Sequence, residues 1–239
     1  MNILITGGTG GLGRAIMDDF AKEARNNIYF TYCHSGEKAQ AMTDTYANVR
    51  GIRCDYGEAG SLETLLSAID GMNLDVLVNN AWWGKPDAIR FGQLTGERIR
   101  DTFCNNVLPL VAITQEALKT FRKKKGGKII TILTAYCHGI PPIGYGLYSS
   151  TKAYIGQLVR TWSVEYARYG ITSNSVSPEF MRTDFTGGTD ERVIEQMEQA
   201  HPLKRLLEPK EVAEVVRFLA EASPQINGVD IPVTAGTRL

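Results

Sequence analysis

Asn2-Ile3-Leu4-Ile5-Thr6-Gly7-Gly8-Thr9-Gly10-Gly11-Leu12-Gly13-Arg14-Ala15-Ile16 opens the chain, and its reading decides the fold. Residues 2–6 are short and apolar and predict a strand. From 12 to 25 the apolar residues Leu12, Ala15, Ile16 and Phe20 recur at helical spacing, which predicts a helix. The glycines between them allow a tight turn, close approach of backbone to a pyrophosphate, and close packing of helix on strand. The N–H groups that open the helix then face the phosphates. A strand–glycine turn–helix at this position predicts a dinucleotide cradle built from Thr6, Gly7, Thr9, Gly11, Leu12 and Gly13.

Outward from that unit, strand and helix patterns alternate along the chain. A second strand is expected over 27–32, then helix 37–47 and strand 49–55, helix 61–70 and strand 75–79. A long helix over about 97–124 precedes a strand over 128–134. Another helix, about 148–169, precedes a strand over 171–176. The last pair is a helix over about 209–222 and a strand over 229–233. Strict alternation argues for a mostly parallel sheet with helices on both faces. Ligands of such sheets lie beyond the carboxyl ends of the strands, so the loops after the strands are where chemistry is expected.

The turn after the second strand reads Phe30-Thr31-Tyr32-Cys33-His34-Ser35 and holds no Asp or Glu. An acid at this point commonly holds the adenosine ribose hydroxyls. Without one, His34 and Ser35 can face a ribose 2′-phosphate, which favours NADP(H) over NAD(H). Arg14 and Lys38 are the nearest basic residues.

The 239 residues carry 26 basic and 26 acidic side chains, a formal net charge of zero. No basic excess points to nucleic acid or an anionic membrane. No apolar run approaches about 18 residues, so no membrane-spanning helix is expected. The N-terminus lacks the basic start and long apolar stretch of a secretory signal, which predicts a cytoplasmic protein. The four cysteines, Cys33, Cys54, Cys104 and Cys137, are widely spaced without a CxxC pair. Free thiols are expected, with no metal site.

Tyr148 and Lys152 lie four residues apart in a predicted helix and share a face. A cation beside a phenol favours the phenolate and so predicts a lowered tyrosine pKa. Such a tyrosine can exchange a proton near neutral pH.

With this pair the chain resembles the short-chain dehydrogenases/reductases over essentially its whole length. The family's TGxxxGxG loop is matched by Thr6, Gly7, Gly11 and Gly13, its adenine-side aspartate by Asp55, and its Asn-Asn-Ala by Asn79, Asn80 and Ala81. Asn106, Thr134, Tyr148, Lys152, Pro178 and Thr183 follow in order and spacing, and the segment from His201 through Ala213 resembles the family's C-terminal part. The resemblance implies one Rossmann-type domain over 1–239 with a seven-stranded parallel sheet, in a homotetramer or homodimer. It implies Tyr148 as acid/base and Lys152 as the group that binds the nicotinamide ribose and tunes Tyr148. It makes Thr134 the hydroxyl on the substrate oxygen, with Ala135, which has no hydroxyl, as the alternative alignment. Asn106 would hold a relay water with Lys152, and backbone near Thr183 would meet the carboxamide.

Three departures stand out. Threonine replaces the usual serine at 134. The usual glycine after Asn-Asn-Ala is Trp82, followed by Trp83. The usual Pro-Gly is Pro178-Glu179. On the substrate side, Trp82, Tyr136, His138, Tyr145 and Glu179 are expected to line an aromatic, apolar pocket, with residues 179–202 as a lid. The run Arg122-Lys123-Lys124-Lys125 suits the negative end of a helix; its sharper reading, with Arg168, is a docking site for an acidic acyl carrier protein. The subgroup most resembled, the 3-oxoacyl-[acyl-carrier-protein] reductases, implies NADPH-dependent reduction of a carrier-bound 3-oxoacyl thioester. A small free ketone or alcohol is the alternative substrate. A cofactor-sensing regulatory protein with a disabled site is the alternative of another kind.

Overall fold

Seven strands in the order β3-β2-β1-β4-β5-β6-β7 form one parallel sheet in the computed structural model, which describes residues 1–86 and 88–237. The strands are β1 (Asn2–Ile5), β2 (Asn27–Tyr32), β3 (Val49–Arg53), β4 (Val76–Asn79), β5 (Gly127–Ile132), β6 (Ile171–Pro178) and β7 (Asp230–Val233). The helices are α1 (Gly11–Ala21), α2 (Gly36–Thr45), α3 (Ser61–Met72), α4 (Gly96–Lys124), α5 (Gly146–Tyr166), α6 (Glu191–Ala200) and α7 (Pro209–Glu221). Each expected strand and helix is present, with ends shifted by a few residues.

The central strands are covered on both faces. Every residue of β4 and of β6 is buried, the continuous burial of a parallel sheet sandwiched between helices. One core joins Ile3, Ile5 and Val78 of the sheet to Ile16 and Phe20 of α1, Met42 of α2 and Val216 of α7. The other joins Leu4, Leu77 and Ile129 to Leu65 of α3, Phe121 of α4 and Val159 of α5. The strand order turns back between β1 and β4, so the loops after these two strands diverge and leave a crevice.

Two local features set the site. Gly10 caps α1 without a side-chain bond, leaving the helix's first N–H groups to the crevice. α5 begins at Gly146, two residues before Tyr148, so Tyr148 sits in its first turn and Lys152 one turn on. α4 runs through Pro109, which has no N–H to offer the carbonyl of Asn105, one turn back. Within the segment expected as a lid, Asp190 caps α6 by accepting from the Arg192 N–H. No helix among the described residues is long and apolar enough to cross a membrane.

Candidate active site

The glycine loop is laced to the loop after β4. Thr6 Oγ1 accepts from the N–H groups of Asn80 (2.9 Å) and Ala81 (3.0 Å). Asn80 Nδ2 donates to the carbonyls of Thr6 (2.9 Å) and Gly7 (3.1 Å). Gly7 has φ +70°, and a Cβ there would stand 2.9 Å from Ala81 Cα; one on Gly13 would stand 2.2 Å from the Gly7 carbonyl oxygen. Only glycine permits this approach of turn, helix and neighbouring loop.

Above the loop opens a cavity of about 720 Å³, within the size range of ligand clefts. Gly7, Thr9, Gly11, Leu12 and Gly13 line it, as do His34 and Ser35 from the turn after β2. Asn80, Ala81, Tyr148, Lys152, Pro178 and Thr183 complete the expected cofactor-side lining. Thr6 and Asp55 are not among the lining residues. Thr6 is buried beneath the loop it ties down. The Asp55 carboxylate accepts from the Gly57 N–H at 2.9 Å and bonds Cys33, and these two contacts hold its pKa low. The fold thus brings an acid from the end of β3 against Cys33 and His34, a neighbour that reading along β2 alone does not show. The glycine cradle, with its bare helix N-terminus and no room for a Cβ at Gly7 or Gly13, fits a dinucleotide pyrophosphate.

At the other end stand Tyr148, Thr134 and Lys152. The Thr134 hydroxyl bonds the Tyr148 phenol and also accepts from the Tyr136 N–H at 3.4 Å. Thr134, rather than the buried Ala135, therefore meets the tyrosine. Burial pushes the Tyr148 pKa up, and the bond from Thr134 only partly offsets it. This corrects the expectation of a phenol lowered by Lys152. Lys152 Nζ instead donates to the Ile132 carbonyl at 2.7 Å and lies 4.7 Å from the centre of the Trp82 ring. Burial brings its own pKa down to about 8.

Trp82, Tyr136, Tyr145 and Glu179 line the substrate end as expected. The Trp82 ring meets Tyr148 edge-on at 4.9 Å, and Tyr136 meets Tyr145 at 5.7 Å and Tyr148 at 6.4 Å. His138 is a correction: it is not a pocket wall. Its Nε2 lies 2.6 Å from Asp230 Oδ2, because β7 presents that carboxylate beside the turn after β5. Asn106 on α4 makes its side-chain bonds to the loop after β4 and to its own helix. Its Oδ1 accepts from the Trp83 N–H at 2.6 Å and its Nδ2 donates to the Thr102 carbonyl at 3.0 Å, so it braces the loop after β4 from behind.

Sequence reasoning missed Phe185, whose ring lies 6.4 Å from Tyr148, and the partners of Glu179, His201 and Thr237. Nothing local in the sequence marks them, because the 179–202 segment and the C-terminal tail meet only in the fold. The basic run also finds partners within the chain. Lys123 pairs with Asp70, and Lys124 with Asp75 just before β4. Arg122 and Arg168 both stack on Tyr169. These residues lie at the edge where the strands begin, opposite the cavity.

Residues 7–238 match the family described as enoyl-(acyl carrier protein) reductase. The chain is a short-chain dehydrogenase/reductase. It is 31% identical to the 3-oxoacyl-[acyl-carrier-protein] reductase of Aquifex aeolicus, over 98% of this chain and 95% of that protein. It is 30% identical to a 3-oxoacyl-[acyl-carrier-protein] reductase of Mycobacterium avium, over 98% of this chain and 89% of the relative. Actinorhodin polyketide ketoreductase, solved with NADPH, shares the fold at a TM-score of 0.87 and 24% identity, over 98% of this chain and 95% of that one. This short-chain dehydrogenase/reductase is an oxidoreductase acting on C=O and CH–OH groups, and the reading as a regulatory protein with a disabled site gives way to that.

Proposed function

We propose that the chain is an NADPH-dependent ketoreductase that reduces a 3-oxoacyl thioester, carried by an acyl carrier protein, to the 3-hydroxyacyl form in fatty-acid or polyketide-type synthesis. The observation that carries this reading is the Tyr148–Thr134 pair at one end of a cavity whose other end is the glycine cradle. Two hydroxyls converge where a carbonyl oxygen can be held and protonated. The names of the relatives support the thioester.

A nicotinamide cofactor held on the glycine cradle would supply the hydride for the carbonyl carbon. Tyr148 delivers its proton to the oxygen, and the buried, protonated phenol is the form that reduction requires. Thr134 orients that oxygen. Lys152 binds the nicotinamide ribose, and Trp82 and Phe185 exclude water from the reacting end. Asn106 acts through the Trp83 backbone, keeping Trp82 in place. NADP(H) is favoured because Glu179 is the sole acidic residue among the described lining residues, and it stands at the substrate end. His34 and Ser35 remain for a 2′-phosphate, with Lys38 nearby in an exposed pair with Asp184. A small free ketone is the second reading, favoured by the position of the basic run away from the cavity.

The test measures NADPH and NADH oxidation by the wild type and Tyr148→Phe against carrier-bound 3-oxoacyl, free 3-oxoacyl, 2-enoyl and simple ketone substrates. Expected are a preference for NADPH, turnover of 3-oxoacyl substrates, and a loss of about 10²-fold or more in the phenylalanine variant, the scale of general acid catalysis. Turnover of the 2-enoyl thioester alone, or near-normal turnover by folded Tyr148→Phe, overturns the reading. Reduction of the simple ketone alone moves the second reading ahead.

A further inference from the structure

Glu179 occupies the position where the family usually has glycine, and its two oxygens differ. Oε2 lies 2.9 Å from Thr237 Oγ1, whose single proton it shares with the Thr234 carbonyl at 2.6 Å, and faces His201 Nε2 at 3.6 Å. His201 is buried, and its Nδ1 accepts from the Leu203 N–H at 3.1 Å. That bond fixes the tautomer with the proton on Nε2, directed at Glu179. The carboxylate is thereby anchored from behind by two groups remote in sequence. Oε1 accepts nothing from any described residue, and the side chain, 26% accessible, opens on the cavity. A carboxylate oxygen left unpaired at the wall of a largely apolar cavity is an acceptor open to a bound donor. The walls beside it are the edges and faces of Tyr136, Tyr145, Tyr148 and Trp82, which suit a planar body.

Resting on the ketoreductase reading, we propose that Glu179 is the specificity residue of this site. It selects a planar carbonyl substrate whose body carries a hydrogen-bond donor, a hydroxyl or an ammonium, and Oε1 accepts from that donor. The Tyr136 ring lies 6.4 Å from that of Tyr148, and the charge of Glu179 adds to the burial that pushes the Tyr136 pKa up to about 12. His201 and Thr237 are positioning residues, since they reach the substrate only through the carboxylate.

The experiment uses the full chain and four 1-tetralones: unsubstituted, and carrying hydroxyl, methoxy or aminomethyl on the ring remote from the ketone. kcat/KM with NADPH is measured for the wild type, Glu179→Gln and Glu179→Gly. In parallel, binding of the same compounds is read by quenching of tryptophan fluorescence. Wild type is expected to prefer the better donor-bearing compound over the methoxy compound by about 10- to 100-fold, the span of one hydrogen bond to a charged group. Glu179→Gly is expected to erase that ratio. Glu179→Gln, which keeps an acceptor but no charge, retains most of the ratio if the donor is a hydroxyl and loses it if the donor is an ammonium. Thermal melts show whether each variant is folded, and the near-isosteric glutamine variant carries the test should the glycine variant not fold. A wild-type ratio near one in both turnover and binding overturns the proposal, as does a ratio that survives in both variants. A donor preference in binding without turnover of any tetralone or of a carrier-bound or free 3-oxoacyl thioester keeps the grip of Glu179 and counts against the ketoreductase reading instead, so the two failures are told apart.

Discussion

Lys152 shows how far a residue's surroundings can redirect a motif. Four residues from Tyr148 on one helix face, it reads in the sequence as a cation that lowers the tyrosine's pKa. In the fold both side chains are buried, and burial is the larger influence on each, raising the phenol and bringing the ammonium down to about 8. Lys152 spends its proton on the Ile132 carbonyl and its charge on the face of Trp82. The sign of the resulting pH dependence follows from the depressed value. Between about pH 8 and the ordinary lysine value of 10.5 the unfolded chain holds more protons than the folded one, so stability rises with pH across that window. The cost of the buried charge is fully present below about pH 8 and relieved above it. Lys152→Met is therefore expected to raise stability at pH 7, on the order of 2 kcal/mol, and to raise it less at about pH 9.5. Urea midpoints of both proteins at the two pH values check this, and an equal gain at both would show that the lysine's charge is not the cause.

At the scale of elements, the β1–glycine turn–α1 unit carries the most structural information per residue. Gly13 admits α1 against the turn, and its Cβ would stand 2.2 Å from a backbone oxygen that cannot move without shifting the loop. Gly10 has room, its nearest neighbour being the Gly7 oxygen at 3.6 Å. Gly13→Ala is expected to cost about 1–3 kcal/mol, the range for overpacking, and to weaken NADPH binding at least tenfold. Gly10→Ala is expected to be tolerated in both respects. Thermal unfolding and fluorescence titration compare them, and equal behaviour of the two variants would rule out the steric account. The same contrast explains what was legible in the sequence. Gly7, Gly13, Tyr148 and Lys152 act through neighbours within a turn or one helix face, so their spacing carries their meaning. The strands were legible because continuous apolar runs alternate with helical ones. Glu179, His201 and Thr237 meet across three separate segments, and no spacing encodes that meeting. His138 read as a pocket residue because it follows β5, but β7 supplies Asp230 to turn it away. Asp55 approaches Cys33 only because β3 pairs with β2.

On the scale of the whole molecule, the helices that position the active site also leave apolar surface uncovered. Leu108 on α4 is 52% exposed, and Tyr154 and Val164 on α5 are 47% and 80% exposed. Near Leu108, Val111 and Ala112 are half-buried, and Ala153 next to Tyr154 is exposed. Exposed apolar side chains on two adjacent helices are a place where a partner can pack. The homotetramer or homodimer that the family resemblance implies would pack a second copy of the chain helix against helix through α4 and α5. Such a contact is isologous, each helix pair meeting its own copy across a two-fold axis, and it must bury more than about 1,000 Å² to be stable. A tetramer needs a second, different contact, and the edge strand β7 beside the half-exposed Phe218 of α7 is the place for it. Leu108→Glu combined with Val164→Glu puts carboxylates on the first face, where burial would leave them unpaired. The double variant is therefore expected to fall from dimer to a monomer of 26.3 kDa, or from tetramer to a dimer held through β7. Phe218→Glu separates these cases, since it halves a tetramer and leaves an α4/α5 dimer intact. Light scattering after size exclusion gives the masses, and circular dichroism shows whether the variants keep their helices. A wild type that is already monomeric, or a folded double variant of unchanged mass, would mean that this face is not the subunit contact.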